Sequence, residues 1–207
     1  MPSAITFWDK AAPSYAKRTI SDPDAYHTTL TRTIHHLSPT DRVLELGCGT
    51  GSTAMDLAPH VAHITATDIS PAMIEIGREK VWSASVRNVT LLAAETGDPV
   101  LAEGAPYDVI LAMNLLHLLP RQAEALAQAH TLLKPGGLLI SKTACLGEKW
   151  YFRPLVGALK LIGKAPPVVH QTLAQTRDAI INAGFEPVEE LVQSGIVPRL
   201  FLVARRR

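Results

Sequence analysis

Val43-Leu44-Glu45-Leu46-Gly47-Cys48-Gly49-Thr50-Gly51 carries a short apolar strand into glycines at alternate positions, with a helix pattern directly behind them. Glycine has no Cβ, so the chain can turn sharply there and a ligand can lie against bare backbone. A helix starting at such a loop aims free N–H groups and the positive end of its dipole at the ligand. The spacing is G-x-G-x-G, not the G-x-G-x-x-G of dinucleotide binders. Glu45 stands just before the first glycine. A carboxylate there repels a pyrophosphate and suits a ligand bearing an ammonium group. A tight strand-to-helix turn with no ligand is the plainer reading of the same glycines.

Outward from this stretch, strand and helix signals alternate. Val43–Leu46, His63–Thr67, Val89–Leu92, Tyr107–Met113 and Leu138–Thr143 read as strands. Thr50–Ala58, Ser70–Trp82 and Arg121–Leu132 read as helices between them, with a short helix at most over Asp98–Ala102. Ser70 is a fitting N-cap ahead of Pro71, and Lys134-Pro135-Gly136-Gly137 closes the helix before it. Tyr107–Met113 is apolar almost throughout, as the buried middle of a parallel sheet requires. Repeated alternation argues for an α/β, doubly wound, Rossmann-like sheet, mostly parallel, with helices on both faces. Right-handed crossovers follow.

After Thr143 the pattern changes. Lys149–Lys164 reads as one amphipathic helix, with Phe152, Leu155, Val156, Leu159 and Ile162 on one side and Arg153, Lys160 and Lys164 on another. It reads first as a lid over an apolar substrate, next as a dimer or core helix, and last as a membrane-surface helix. A further helix spans about Leu173–Ala183 and stops at Gly184. Phe185–Gln193 and Arg199–Ala204 then form two strands joined around Ser194-Gly195, an antiparallel pair.

The 207 residues suit one domain with a substantial core. A net charge of +1 gives no bulk electrostatic case for nucleic acid. Cys48 and Cys145 make no disulfide framework, and no metal-ligand spacing is visible. No apolar run reaches the roughly 18–20 residues of a membrane span, so stable insertion is not expected, while peripheral contact stays open. The start of the chain lacks the basic region and apolar core of a signal peptide, which points to the cytoplasm. Arg205-Arg206-Arg207 reads as a solvated tail.

The glycine spacing, Glu45, Asp68 at the end of the second strand, Glu95 after the third and Asn114 after the fourth resemble, in order and spacing, the class I S-adenosylmethionine-dependent methyltransferases, specifically those acting on small molecules. The resemblance spans about Phe7 to Lys142. It implies a seven-stranded sheet ending in an antiparallel hairpin, with S-adenosyl-L-methionine as cofactor and S-adenosyl-L-homocysteine as product. It further implies a small-molecule acceptor, apolar or lipid-like, and methyl transfer by in-line displacement. The methionine part of the cofactor then lies against Gly47, Cys48, Gly49 and Gly51, with Glu45 facing its ammonium group. Cys48 is a packing residue rather than a nucleophile. Asp68 takes the ribose hydroxyls, and the competing role for it is a helix cap. Ile69 packs on the adenine with help from Met73. Glu95 accepts from the adenine amino group and the Thr96 backbone N–H donates to the ring; Asp98 competes with Glu95 but looks like a helix start. Asn114 and Leu115 hold the methionine portion and face the acceptor. Asn114-Leu115-Leu116-His117 lacks the prolines and aromatic of DNA and protein-amide methyltransferases, which turns the reading away from those substrates.

Phe7-Trp8-Asp9 through Arg18 resembles the opening segment of many small-molecule members, folded over the cofactor, with Tyr15 and Lys17 or Arg18 reaching the methionine carboxylate. A plain packing helix is the alternative, and Tyr26 is placed on the substrate side. His117 is the one candidate for a general base, because an imidazole of pKa about 6.5 exchanges protons near neutrality; a structural histidine at the strand–helix junction is as good a reading. The domain organisation expected is 1–40 as a helical cap, 41–144 as the cofactor-binding core, 145–170 as a substrate-lid insertion and 171–207 as the last helix and hairpin, in a monomer or homodimer. The rivals are an NAD-dependent oxidoreductase and an inactive methyltransferase-like binding protein.

Overall fold

A computed structural model describes residues 4–161, 165–166 and 168–207. Two helices, α1 (Ala4–Ala16) and α2 (Pro23–His35), precede the first strand, β1 (Arg42–Leu46). Then come α3 (Ser52–Leu57), β2 (His63–Asp68), α4 (Pro71–Ser83), β3 (Val89–Ala93), β4 (Tyr107–Met113), α5 (Gln122–Leu132) and β5 (Leu133–Ala144). The chain closes with α6 (Phe152–Leu161), α7 (Leu173–Asn182), β6 (Phe185–Gln193) and β7 (Arg199–Arg206). All the strands form one seven-stranded sheet in the order β3-β2-β1-β4-β5-β7-β6. The β1–β5 neighbours are parallel, and β7 runs antiparallel to both β5 and β6. The expected doubly wound sheet with a C-terminal antiparallel hairpin is therefore the observed one.

Side chains alternate between the two faces of a strand, so both faces must be apolar where both are covered. Along β4, Val109 and Leu111 enter one core and Ile110 and Ala112 the other. Along β7, Phe201 and Val203 join the first core while Leu200, Leu202 and Ala204 join the second. Residues of α2, α3 and α4 close the first core, those of α5 and α7 the second. Glu45 shares the parity of Val43, and so falls on the α3 face between Ala66 and Leu111.

Several boundaries differ from those the sequence predicts. Residues 134–137 belong to β5 rather than to a loop. Tyr107 pairs with Leu133 and Val109 with Leu138, so the four residues bulge out of the ladder. Lys134 Nζ sits 2.6 Å from Asp108 Oδ1 and holds the bulge down. The short helix after β3 is a 3-10 turn over Pro99–Gly104, with Asp98 accepting from the Val100 N–H as its cap. The C-terminal tail is partly strand: Arg205 pairs with Leu138 and Glu186, and the Arg206 guanidinium bonds the Leu133 carbonyl. The expected Lys149–Lys164 helix is shorter at its start; Ile162 and Lys164 lie outside the described residues. Aromatic residues 150–152 precede Pro154, and the regular helix begins with Phe152. Among the described residues no helix is long and apolar enough to cross a membrane.

Candidate functional site

The strand order reverses direction between β1 and β4, and ligands of open α/β sheets bind beyond the strand ends at such a switch point. A cavity lies there, lined by the segments that leave the ends of β1, β2, β3 and β4. Gly47, Gly49 and Gly51 have φ of 67, 56 and 73°, a left-handed conformation that disfavours any residue with a Cβ. A Cβ on Gly47 would also stand 2.6 Å from Leu115 Cδ1. The loop is thus bare backbone for two reasons, its own turn and its packing on the end of β4.

Asp68 ties this loop to the second strand. Its Oδ2 accepts from the Gly49 N–H at 2.9 Å and its Oδ1 from the Ser70 N–H at 2.9 Å. Each carboxylate oxygen has a second lone pair, so both remain able to accept from a ligand. Burial raises the Asp68 carboxyl above its usual range, while these two N–H groups pull it back. The Cys48 N–H donates to the Thr67 carbonyl at 2.8 Å, which ends the strand pairing at the loop.

Helix α1 covers the cavity. Its Asp9 Oδ1 accepts from Ser70 Oγ at 2.6 Å and from the Ala72 N–H at 3.2 Å, pinning it to the start of α4. Ser70 Oγ in turn caps α4 by accepting from the Met73 N–H. Trp8 and Tyr15 stack edge to face 6.4 Å apart, and both line the cavity, the Tyr15 ring lying over Gly49. Burial and the neighbouring Asp68 raise the Tyr15 hydroxyl pKa.

Of the residues expected from the sequence, the cavity brings together Tyr15, Gly47, Gly49, Asp68, Ile69, Met73, Glu95, Thr96, Asn114 and Leu115. Asn114 adopts φ 57° and its N–H donates to the Lys142 carbonyl at 2.7 Å, which turns the chain back over the strand end. Glu95 is exposed at the rim. Cys48, Gly51, Arg18, Glu45 and His117 do not line the cavity. Cys48 packs with the α3-side core, and burial raises its thiol pKa well above normal. Arg18 is exposed beyond the end of α1. Tyr26 is not at the cavity either; its hydroxyl donates to Asp56 Oδ2 at 2.5 Å.

Glu45 and His117 differ most from expectation. Glu45 is 1% exposed, its Oε2 has no hydrogen-bond partner among the described residues, and burial and then Asp68 push its pKa up to about 8. It sits in the sheet under the loop, because odd positions of β1 face α3. His117 lies in a one-turn 3-10 helix over Leu116–Leu118 that aims Leu115 and Leu118, not the imidazole, at the cavity. Burial, then Arg199, holds its pKa down to about 4, and its Nδ1 is unpartnered among the described residues. Sequence reasoning missed Met113, Leu118, Leu119 and Arg121. They belong to the continuation of the fourth strand, which curls over the site; the Leu118-Leu119-Pro120 run was the available signal.

The sheet order and the cavity at its switch point give this chain the fold of solved S-adenosylmethionine-dependent methyltransferases. Residues 44–139 match the family described as "Methyltransferase domain". The ubiquinone biosynthesis O-methyltransferase of Xylella fastidiosa (strain 9a5c) is 32% identical over 131 residues, covering 63% of this chain and 52% of that protein. That of Acinetobacter baumannii (strain ACICU) is 28% identical over 148 residues, covering 69% and 62%. The chain thus spans about half to three fifths of the length of these curated relatives. The N-methyltransferase NodS from Bradyrhizobium japonicum WM9, solved with S-adenosyl-L-homocysteine, superposes with a TM-score of 0.72 over 99% of both chains at 18% identity, a likeness of fold.

Proposed function

We propose that this chain binds S-adenosyl-L-methionine in the switch-point cavity and transfers its methyl group to a small-molecule acceptor. The observation that carries the reading is the continuous lining from Gly47 and Gly49 through Asp68 and Ile69 to Glu95, Thr96 and Asn114. These residues fit the cofactor. The bare loop leaves room for its methionine end, and Asp68 keeps a free lone pair on each oxygen for the ribose hydroxyls. Ile69 and Met73 offer an apolar face to the adenine, and Glu95 an acceptor to its amino group. The buried, unpartnered Glu45 Oε2 lies beneath the loop, where a cationic ligand above favours its ionised form.

When bound, the cofactor supplies a methyl group activated by its sulfonium. The protein's part is to align donor and acceptor and exclude water, and such alignment can recover up to about 7–11 kcal/mol of a barrier. Trp8 and Tyr15 close the cavity from above and Asn114 and Leu115 set its acceptor side. Among the described residues, no side chain of the cavity is a poised nucleophile, which suits direct transfer. The names of the curated relatives make O-methylation the first chemistry to assay.

Titration calorimetry with S-adenosyl-L-homocysteine and with NAD tests the reading. Binding of the first and not the second is expected. NAD binding without S-adenosyl-L-homocysteine binding would overturn it in favour of an oxidoreductase. Binding without methyl release across a broad acceptor panel would favour the inactive binding protein.

A further inference from the structure

Helix α6 is an amphipathic element that the body of the protein covers only in part: Phe152, Val156 and Leu159 are half-buried, while Leu155 is exposed. None of the residues 152–160 is buried, although Phe152, Leu155, Val156 and Leu159 are apolar. Leu155 is 50% exposed, and Trp150, just ahead of the helix, is 81% exposed. Trp150, Tyr151 and Phe152 stack in succession, with centroids 6.2 and 4.9 Å apart. The excursion that carries them is closed at its base. The Gly147 N–H donates to the Gln171 carbonyl at 2.8 Å, and Glu148 Oε1 accepts from the Leu173 N–H at 2.8 Å.

This surface stands at the cavity end of the molecule. The excursion leaves the carboxyl end of β5, as the cavity loops leave β1, β2 and β4. The β6–β7 turn reaches the same end, because Ala144 at the end of β5 pairs with Arg199 at the start of β7. That turn carries Ile196, 81% exposed, and the α1–α2 connection carries Ile20, 51% exposed.

The charge of the segment is one-sided. From Lys149 to Thr176 there is no Asp or Glu, while Lys149, Arg153, Lys160 and Lys164 are basic; Glu148 just ahead is bonded to the Leu173 N–H and Arg177 just beyond is paired with Glu190 at 3.0 Å. Such a face suits an anionic surface. It disfavours a second copy of itself, because a two-fold interface sets each basic group against its own kind.

We propose that Trp150, Tyr151, Leu155 and the basic residues around them form a docking face for an anionic lipid bilayer. Exposed aromatic and aliphatic side chains enter the interface and Lys149, Arg153 and Lys160 meet the headgroups, as in other interfacial amphipathic helices. The mouth of the cavity is then held near the membrane, which gives an acceptor dissolved in lipid a route in. The docking face stands independently of the methyl transfer proposed above.

The test is co-sedimentation of the full chain with vesicles of phosphatidylcholine alone and of phosphatidylcholine mixed with phosphatidylglycerol. Salt-sensitive binding to the mixed vesicles only is expected. Arg153→Gln and Lys160→Gln should each lower the partition coefficient by about fivefold, in line with the attraction of a basic residue to an anionic leaflet. Trp150→Ala with Leu155→Ala should abolish binding. S-adenosyl-L-homocysteine titration of each variant controls for folding, and its failure in the wild type would count against the cofactor reading alone. Equal pelleting with both vesicle types, or unchanged pelleting of the variants, overturns the docking face. So does a concentration-dependent dimer that Leu155→Glu dissociates and that ignores vesicles, which would assign the surface to a second copy.

Discussion

Asp68 does two jobs that pull on one carboxylate: it anchors the Gly49 N–H and offers its remaining lone pairs to the cavity. Asp68→Ala is expected to weaken S-adenosyl-L-homocysteine binding by about 1.5–3 kcal/mol, the worth of a hydrogen bond to a charged group, read by calorimetry. Gly47→Ala places a Cβ at φ 67° and against Leu115, so a loss of about 1–2 kcal/mol of stability is expected from the backbone alone, read from urea denaturation. Glu45 gives a pH signature. Its folded pKa of about 8 lies above the ordinary 4.5, so the folded state holds a proton that the unfolded chain releases. Its contribution to stability is full below 4.5 and is lost as pH rises through about 8. Glu45→Gln should flatten that fall in denaturation measured across the window, and a variant as pH-sensitive as the wild type would refute the assignment. Asp68 and the glycines were readable in the sequence because their chemistry is local to one turn. The burial of Glu45 was not, because it depends on α3 lying over β1.

At the scale of the element, the start of α4 was legible because its cap is written into neighbouring residues, while the Asp22 cap of α2 went unread. Ser70 ahead of Pro71 is the legible cap; the capping box between Thr172 and Gln175 at the start of α7 was written there too but was not read as one. Ser70 also carries the docking of α1 through Asp9. Asp9→Ala should keep the Ser70 bond to the Met73 N–H but free the Ala72 N–H, speed hydrogen exchange in α1 and weaken S-adenosyl-L-homocysteine binding; exchange unchanged from wild type would show that α1 is held by other contacts. Strand ends were less legible. The glycines after Pro135 look like a helix stop in sequence, yet the backbone re-enters the ladder beyond its bulge because β4 presents edge groups on both sides of it. The direction of His117 was not legible for a related reason. Its residue type suits proton transfer, but the 3-10 turn sets its direction, and the turn spends its cavity-facing positions on leucines.

For the whole molecule, the decisive feature is a sheet covered on both faces, with the cavity at one end and α6 beside it. Phe201 is fully buried where β7 lies between β5 and β6, within the core that also holds Ile140 and Val203. Phe201→Ala is expected to cost about 3–5 kcal/mol, enough to take most of the stability of a single domain, read as a drop in the urea midpoint. The sequence by itself determined the α/β class, nearly every strand, the antiparallel hairpin and the residues of the glycine turn, because period-two and period-3.6 patterns and turn chemistry are properties of neighbours along the chain. Only the tertiary structure decided which of those residues meet. It placed Glu45 beneath the loop, His117 away from the cavity, Trp8 and Leu118 in its wall, and α6 outside the core. Face and direction are fixed by what packs across the sheet, and those partners lie far away along the chain.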